Sequence, residues 1–169
     1  LGISYIEVNL SVVQCEQKNL AERYITIMDK YKIRPCQINL EITESASVKT
    51  KEILLDNMKR LINYGVTFAL DDFGIGQSNL DYVIEMPVSL MKFDMNMTQA
   101  YFRDLKAQFV VQAAIHMAHG MDLLLVAEGV ETEEQLSGMK DENIDFIQGY
   151  YFSKPLPQQE FLKFLEASA

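Results

Sequence analysis

Residues 65–74 read GVTFALDDFG, and this stretch contains in compact form the unit that decides the fold. Gly65 follows an amphipathic segment and is typical of a residue that ends a helix. The apolar run Val66–Leu70 is typical of a buried strand, and the acidic residues Asp71 and Asp72 follow it directly. The stretch therefore predicts a helix, a tight turn and a strand with two carboxylates at its carboxyl end.

The same unit recurs along the chain, because short apolar runs alternate with longer amphipathic segments. The predicted strands are Tyr5–Asn9, Gln37–Ile42, Val66–Leu70, Leu90–Phe93, Leu123–Ala127 and Phe146–Ile147. The predicted helices are Gln14–Tyr31, Val48–Tyr64, Asn79–Glu85, Thr98–His119, Glu133–Lys140 and Gln158–Glu166. We expect helix starts at Ser47, Ser78 and Thr132, and helix ends at Gly65 and Gly120.

This alternation decides the fold class, since strands joined by crossover helices form parallel sheets. The predicted units are too many for a small open sheet and fewer than the eight of a complete barrel. We therefore predict an α/β fold, a TIM-like (β/α) barrel that is incomplete here because its first β/α segment is missing. At 169 residues and 19.4 kDa, with no linker-like stretch, the chain 1–169 is predicted to be a single domain.

Composition and charge exclude several classes of partner. The net charge of -9 disfavours DNA, which requires clustered cations. No apolar run approaches the ~20 residues that cross a bilayer, so we expect no direct membrane insertion. The chain begins at Leu1 without a basic and then apolar leader, so we expect a cytoplasmic domain, even if its parent protein is membrane-tethered. Cys15 and Cys36 are predicted to be ordinary reduced thiols.

Polar side chains lie at or just after the carboxyl ends of the predicted strands. These residues are Asn9, Glu41, Asp71, Asp72, Lys92, Asp94, Glu128, Glu131 and Gln148. Any one of them taken alone is more often a helix cap or a solvated loop residue. In a parallel barrel, however, the carboxyl ends of all strands open onto one face, where active sites lie. Clustered carboxylate and amide oxygens suit Mg²⁺ or Mn²⁺, and two such ions commonly hydrolyse phosphodiesters.

The same stretches carry a family resemblance. The segments are VNLS (8–11), LEITES (40–45), ALDDFG (69–74), MKFD (91–94), VAEGVET (126–132) and QGYYFSKPL (148–156). Their residues and their order are similar to the motifs of the EAL-domain family. The resemblance implies a modified TIM barrel that opens cyclic di-GMP to linear pGpG with Mg²⁺ or Mn²⁺.

The resemblance also implies roles for individual residues. The implied metal ligands are Asn9, Glu41, Asp71, Asp72 and Glu128, with Asp71 bridging two ions. The implied catalytic residues are Lys92, which orients the attacking water, Glu128, which assists proton removal, and Glu44, which fixes the loop after Asp72. Asp94 is implied to contact the ligand, and Gln148 to contact the catalytic centre. Glu131 is expected to support residues of the site without contacting the metal ions itself.

Two departures from the family pattern qualify these expectations. The Glu-Ala-Leu motif is absent, so one metal ligand is missing and we predict little or no activity for residues 1–169 alone. Ile75, Gln77 and Asn79 replace the usual residues of the loop that links metal binding to dimerisation. The alternatives are a degenerate domain that senses cyclic di-GMP without cleaving it, or a dimerisation module. For the intact domain we expect a homodimer, with upstream regulatory or GGDEF-type domains.

Overall fold

The described strands form one parallel sheet. The structure is a computed structural model and describes residues 3–43, 51–74 and 80–167. The strands are β1 (Ile6–Asn9), β2 (Ile38–Thr43), β3 (Thr67–Phe73), β4 (Leu90–Phe93), β5 (Leu124–Ala127) and β6 (Phe146–Ile147). Each strand pairs in parallel with the next strand in the sequence, in the order β1-β2-β3-β4-β5-β6. This order is that of a (β/α) barrel.

The two end strands of the sheet approach each other. In a flat sheet, five strand spacings would separate β1 and β6 by about 24 Å. Instead, the ring of Tyr5, which precedes β1, meets the ring of Phe146 on β6 edge to face, with centroids 6.3 Å apart. The sheet therefore curls into part of a barrel, which confirms the prediction of an incomplete TIM-like fold.

Helices connect the strands. They are α1 (Val12–Cys15), α2 (Leu20–Tyr31), α3 (Lys51–Tyr64), α4 (Leu80–Glu85), α5 (Met95–Arg103), α6 (Leu105–Gly120), α7 (Glu133–Asp141) and α8 (Gln158–Ala167), with a 3₁₀ turn at Pro35–Gln37. Thr132 caps α7 as predicted, because its side chain accepts a hydrogen bond from the Gln135 amide. Gly65 ends α3 with φ +110, a left-handed conformation that favours glycine. The predicted caps Ser47 and Ser78 lie outside the described residues.

Two helices were predicted too long. The predicted helix Thr98–His119 is divided into α5 and α6 at Asp104, which is extended and accepts a hydrogen bond from the Lys106 amide at 2.7 Å. The predicted helix Gln14–Tyr31 is likewise divided into α1 and α2. At Asp104 the apolar spacing of Tyr101, Leu105 and Phe109 continues through the break, so the pattern alone conceals it. Between α1 and α2, by contrast, residues 16–19 are all polar and mark the break.

One face of the sheet forms the main core. Leu40, Ile42, Met91 and Leu125 are fully buried there, and helices pack against them. Burial of each such aliphatic side chain contributes roughly 1.5–3 kcal/mol to the free energy of unfolding. The alternate residues Ala69, Leu90 and Val126 form a separate small apolar cluster. Because successive side chains point to opposite faces, this second face also receives the polar residues of the strands.

Three further expectations concern membrane insertion, the cysteines and the domain organisation. Within the ranges that the structure describes, no helix is both long and apolar enough to cross a membrane. Cys15 is buried and Cys36 exposed, and both are free thiols. The assignment of residues 1–169 to a single domain stays a prediction.

Replacing Gly149 by alanine is expected to destabilise the fold by about 3 kcal/mol, the upper end of the usual effect of overpacking. A Cβ atom there would lie 2.0 Å from the carbonyl oxygen and 2.4 Å from the nitrogen of Val130. Both atoms are fixed by hydrogen bonds, because the Val130 amide donates to the Gln148 carbonyl and its own carbonyl accepts from the Tyr151 amide. Urea unfolding measures the change.

Gly120→Ala is the matched control for this variant. Gly120 is the last residue of α6, and an added Cβ there meets no other part of the described chain within 4 Å. We expect this variant to be as stable as the wild type or slightly more stable. Equal stability of the two variants would contradict the close approach of Gly149 to Val130.

Candidate active site

The ammonium group of Lys92 lies among four carboxylates. Its Nζ is 2.7 Å from Glu128 Oε1, 3.6 Å from Glu7 Oε2 and 3.7 Å from Asp71 Oδ1, and it donates a short hydrogen bond to Glu41. We call these four residues the acidic cluster. The five residues come from five consecutive strands or strand ends, so the curled sheet brings them together.

Strand register explains the convergence. Asn9 on β1 pairs with Glu41 on β2, and Thr43 on β2 pairs with Asp71 on β3. Residues two apart on a strand share a face, so Glu7 lies on the same side of β1 as Asn9. On β4, Lys92 directly follows the core residue Met91, so its side chain points to the opposite face of the sheet, the face that carries the site.

The end of β3 is irregular. The prediction placed Asp71 and Asp72 after the strand, but β3 continues to Phe73 and contains both. The register with β4 shifts between Leu70 and Phe73, and Asp72 adopts a left-handed φ of +59. The Asp72 amide donates to Asp71 Oδ1 at 3.0 Å. Bulges of this kind redirect side chains next to functional sites.

Burial and charge shift the pKa values of this group. Burial raises the pKa of Glu41 and Glu128 above the ordinary carboxyl value, although hydrogen bonds from Lys92 act in the opposite direction. Burial and then the charge of Asp71 raise the pKa of Asp72. Burial alone would lower the pKa of Lys92, but its hydrogen bonds to Glu128 and Glu41 raise it overall. One ammonium among four carboxylates leaves an excess of negative charge that attracts cations.

The donor set of the site suits a hard divalent cation. Oxygen ligands and excess negative charge are what Mg²⁺ and Mn²⁺ require. In the arrangement described, Glu41, Asp71 and Glu128 turn toward Lys92, and no three His, Cys, Asp or Glu side chains among residues 3–43, 51–74 and 80–167 are arranged to hold one ion. A bound ion would therefore share these carboxylates with the ammonium.

A cavity of about 580 Å³ adjoins the acidic cluster, a size typical of ligand sites. Its lining is largely apolar and aromatic: Met95, Glu128, Gly129, Glu131, Gln148, Gly149, Tyr150, Ser153, Lys154, Pro155, Leu156, Phe161 and Phe164. The Lys154 ammonium lies 5.5 Å from the centre of the Tyr150 ring. Glu128 belongs to both the cavity and the acidic cluster, so a ligand in the cavity reaches the charged groups at that residue.

Comparisons with known proteins identify the family of this chain. The family model described as "EAL domain" matches residues 2–155. This chain belongs to the EAL-domain family. It is 31% identical over 160 residues to the cyclic di-GMP phosphodiesterase RocR of Pseudomonas aeruginosa, and this match covers 95% of the chain and 41% of RocR. The chain thus spans less than half the length of this relative.

Solved EAL structures have the same fold. The EAL domain of Mycobacterium smegmatis DcpA matches with a TM-score of 0.90 and 32% identity, over 96% of this chain and 73% of that one. The EAL enzyme Bd1971, in its form bound to cAMP and cyclic di-GMP, also gives a TM-score of 0.90, with 31% identity over 96% of this chain and 43% of its own.

Within this EAL domain, the predicted site residues have different positions. Glu41, Asp71, Lys92 and Glu128 meet directly, whereas Glu131 and Gln148 line the cavity. Asn9 lies beside Glu41 in register, and Asp72 lies close enough for its pKa to respond to Asp71 and Asp94. Their roles as ligands or catalytic groups stay predictions. Glu44 and the loop 75–79 lie outside the described residues.

Asp94 has a structural contact of its own. Its side chain is buried and accepts a hydrogen bond from the Asn96 amide at 2.7 Å, so it caps the amino terminus of α5. Its predicted contact with a ligand must therefore use carboxylate lone pairs that the Asn96 amide does not occupy.

Sequence reasoning missed Glu7 because it lies outside the family motifs. The signal was present, however, because the alternation Tyr5-Ile6-Glu7-Val8-Asn9 places Glu7 on the same face as Asn9. A search for every charged residue in phase with a predicted site residue would have found it.

Proposed function

We propose that this EAL domain hydrolyses cyclic di-GMP to linear pGpG in bacterial second-messenger signalling. The observation that carries the proposal is the Lys92 ammonium held among strand-end carboxylates beside a cavity of ligand size. In the reaction, a water oxygen bonds to one phosphorus atom and the bond from that phosphorus to its 3′ oxygen breaks. The product has one 5′ phosphate and one free 3′ hydroxyl.

The proposal includes two divalent ions, Mg²⁺ or Mn²⁺. The residues that would hold them are Asn9, Glu41, Asp71, Asp72 and Glu128. When bound, such ions polarise the phosphate and lower the pKa of a water molecule to near neutrality. The excess negative charge of the acidic cluster supports this assignment, because it favours binding of divalent cations.

The chain's own residues would then act on the phosphate and the water. The Lys92 ammonium would orient the attacking water and offset the negative charge that develops on the phosphate oxygens. Glu128 would accept the proton of the water. Gln148 lines the cavity next to Glu128 and would orient the ligand, with Glu131 as a supporting group.

The aromatic cavity would accommodate a guanine base. Tyr150 is exposed and presents its ring beside Lys154, and a base can stack on such a ring. RocR is named a cyclic di-GMP phosphodiesterase, and Bd1971 has been solved with cyclic di-GMP bound, which supports the same ligand for this chain.

Chromatography of pGpG tests the proposal. We expect this chain, extended by the residues upstream of it in its parent protein, to convert cyclic di-GMP to pGpG in the presence of Mg²⁺. We expect EDTA to stop the reaction. Residues 1–169 alone are tested in parallel for the expected loss of activity. A folded protein that forms no product in Mg²⁺ or Mn²⁺ would contradict the proposal. Binding of cyclic di-GMP in Ca²⁺ without product in Mg²⁺ would instead favour the sensor function.

A further inference from the structure

Glu7 is the member of the acidic cluster that lies deepest along its strand. It pairs in register with Asn39, whereas Asn9 and Glu41 form the next pair toward the carboxyl ends. Two residues correspond to roughly 6.6 Å along a strand. Glu7 nevertheless reaches the ammonium, with its Oε2 atom 3.6 Å from Lys92 Nζ. It is not among the residues proposed above to hold metal.

The other three carboxylates would have two tasks. Glu41, Asp71 and Glu128 contact the ammonium, and the proposed function assigns the same three residues to metal ions. Oxygen lone pairs that bind a divalent ion are less available to the ammonium. Lys92 is 3% exposed, and a buried charge without a partner is strongly unfavourable. Lys92 therefore needs a carboxylate outside the metal shell.

Glu7 has the surroundings that this task requires. A second cavity, of about 270 Å³, borders it together with Tyr5, Val126, Phe146, Ile147 and Gln148. Its side chain is 24% exposed, more than that of any other cluster member. Water in this cavity can therefore reach the Glu7 carboxylate while the carboxylate faces Lys92.

We infer that Glu7 is a positioning residue that holds the Lys92 ammonium from the side of the strands' amino ends when divalent ions occupy the other three carboxylates. The inference rests on the proposed function, because it assumes that these three residues bind metal. Lys92 would then keep its position toward the phosphate in both the metal-free and the metal-bound state.

The side-chain ammonium signal of Lys92 in ¹H–¹⁵N NMR tests the inference directly. The chain is recorded without metal and with saturating Mg²⁺, and the signal is assigned by its absence in Lys92→Met. In the wild type we expect a protected signal in both states. In Glu7→Gln we expect the signal without metal, which also shows that the variant is folded, and its loss with Mg²⁺. Glu166→Gln, an exposed residue near the end of α8, is the matched control and should keep both signals.

Turnover gives a second measurement on the polypeptide used for the pGpG assay. We expect Glu7→Gln to lower kcat by roughly 10- to 100-fold, the usual effect of losing a group that orients a metal-site residue, with KM changed less than about twofold. Glu7→Asp keeps the charge and should recover part of the loss. In a Lys92→Met background, Glu7→Gln should cause no further loss, because Glu7 acts through Lys92.

The outcomes separate this inference from the proposed function. A Lys92 signal in Glu7→Gln that persists in saturating Mg²⁺ would overturn the role of Glu7, even if the wild type hydrolyses cyclic di-GMP. Independent, multiplicative effects of the Glu7 and Lys92 variants on kcat would overturn it as well. If the wild type forms no pGpG but the metal-dependent signal loss occurs in Glu7→Gln, the proposed reaction fails and the role of Glu7 stands. A wild type that binds no Mg²⁺ by calorimetry would overturn both.

Discussion

Replacing Asp71 by asparagine is expected to lower the hydrolysis of cyclic di-GMP by more than about 100-fold, because even groups that only orient metal ligands usually contribute 10- to 100-fold. Asp71 is the proposed bridge between two ions, and an amide of the same shape lacks the charge that such a bridge needs. The assay is pGpG formation at saturating Mg²⁺. Activity within threefold of the wild type would refute the role of Asp71.

The fold should survive this change. Asp71 is one of four carboxylates around a single ammonium, so neutralising it relieves repulsion in the metal-free chain. We therefore expect the midpoint of thermal unfolding without metal to be equal to or above that of the wild type. Asp122→Asn is the matched control: Asp122 is exposed in the turn before β5, with φ +58, at the opposite end of the sheet. It should keep full activity.

Replacing Lys92 by methionine is expected to lower the free energy of unfolding of the metal-free chain by about 3–5 kcal/mol, as is typical when one partner of a buried ion pair is removed. The methionine fills most of the volume, but the buried carboxylate of Glu41 loses its hydrogen-bonded cation. Urea unfolding measures the loss. Lys106→Met, at an exposed position in the first turn of α6, is the control and should stay within about 0.5 kcal/mol of the wild type.

The Lys92→Met variant should also depend on pH in a defined direction. Burial already raises the folded-state pKa of Glu41 and Glu128 above the ordinary value of 4.5, and Lys92 is the group that opposes this rise. Without Lys92 the two pKa values rise further. Between 4.5 and the raised values the folded state binds more protons than the unfolded state, so stability falls as pH rises through this window.

Unfolding at pH 5 and at pH 8 checks the sign. The variant should be closer to the wild type at pH 5 than at pH 8, and Mg²⁺ should restore part of the loss at pH 8, because it binds the same carboxylates in the folded state. An equal loss at both pH values would mean that the carboxylates do not depend on Lys92 for their charge.

The sequence predicts the arrangement of the site well where simple periodicity decides it. Parallel strands end at one edge, so the polar residues at or near their carboxyl ends converge, and Glu41, Asp71, Lys92 and Glu128 do meet. Periodicity does not reveal a break between two helices when the apolar spacing continues across it. At Asp104 the helical pattern continues through the break. The two helices α5 and α6 are separated by the extended backbone of Asp104, whose side chain accepts a hydrogen bond from the Lys106 backbone amide.

The partners of individual side chains could not be predicted from the pattern. The spacing of strand ends does not say that the ammonium of Lys92 reaches four strands, because this depends on the curl of the sheet and on the length of the lysine. For the same reason Glu7 was missed, although it is in phase with Asn9. Distances between strands that are not neighbours require the three-dimensional structure.

The aromatic cavity and the acidic cluster have a consequence for inhibition. Among the described residues, Glu128 is the one member of the cluster that lines the cavity, and most of the cavity wall is apolar. Under the proposed function, a small molecule that fills only the cavity would block entry of the nucleotide without chelating an ion. Its potency should therefore stay constant as the Mg²⁺ concentration is raised, whereas that of a chelating inhibitor should fall.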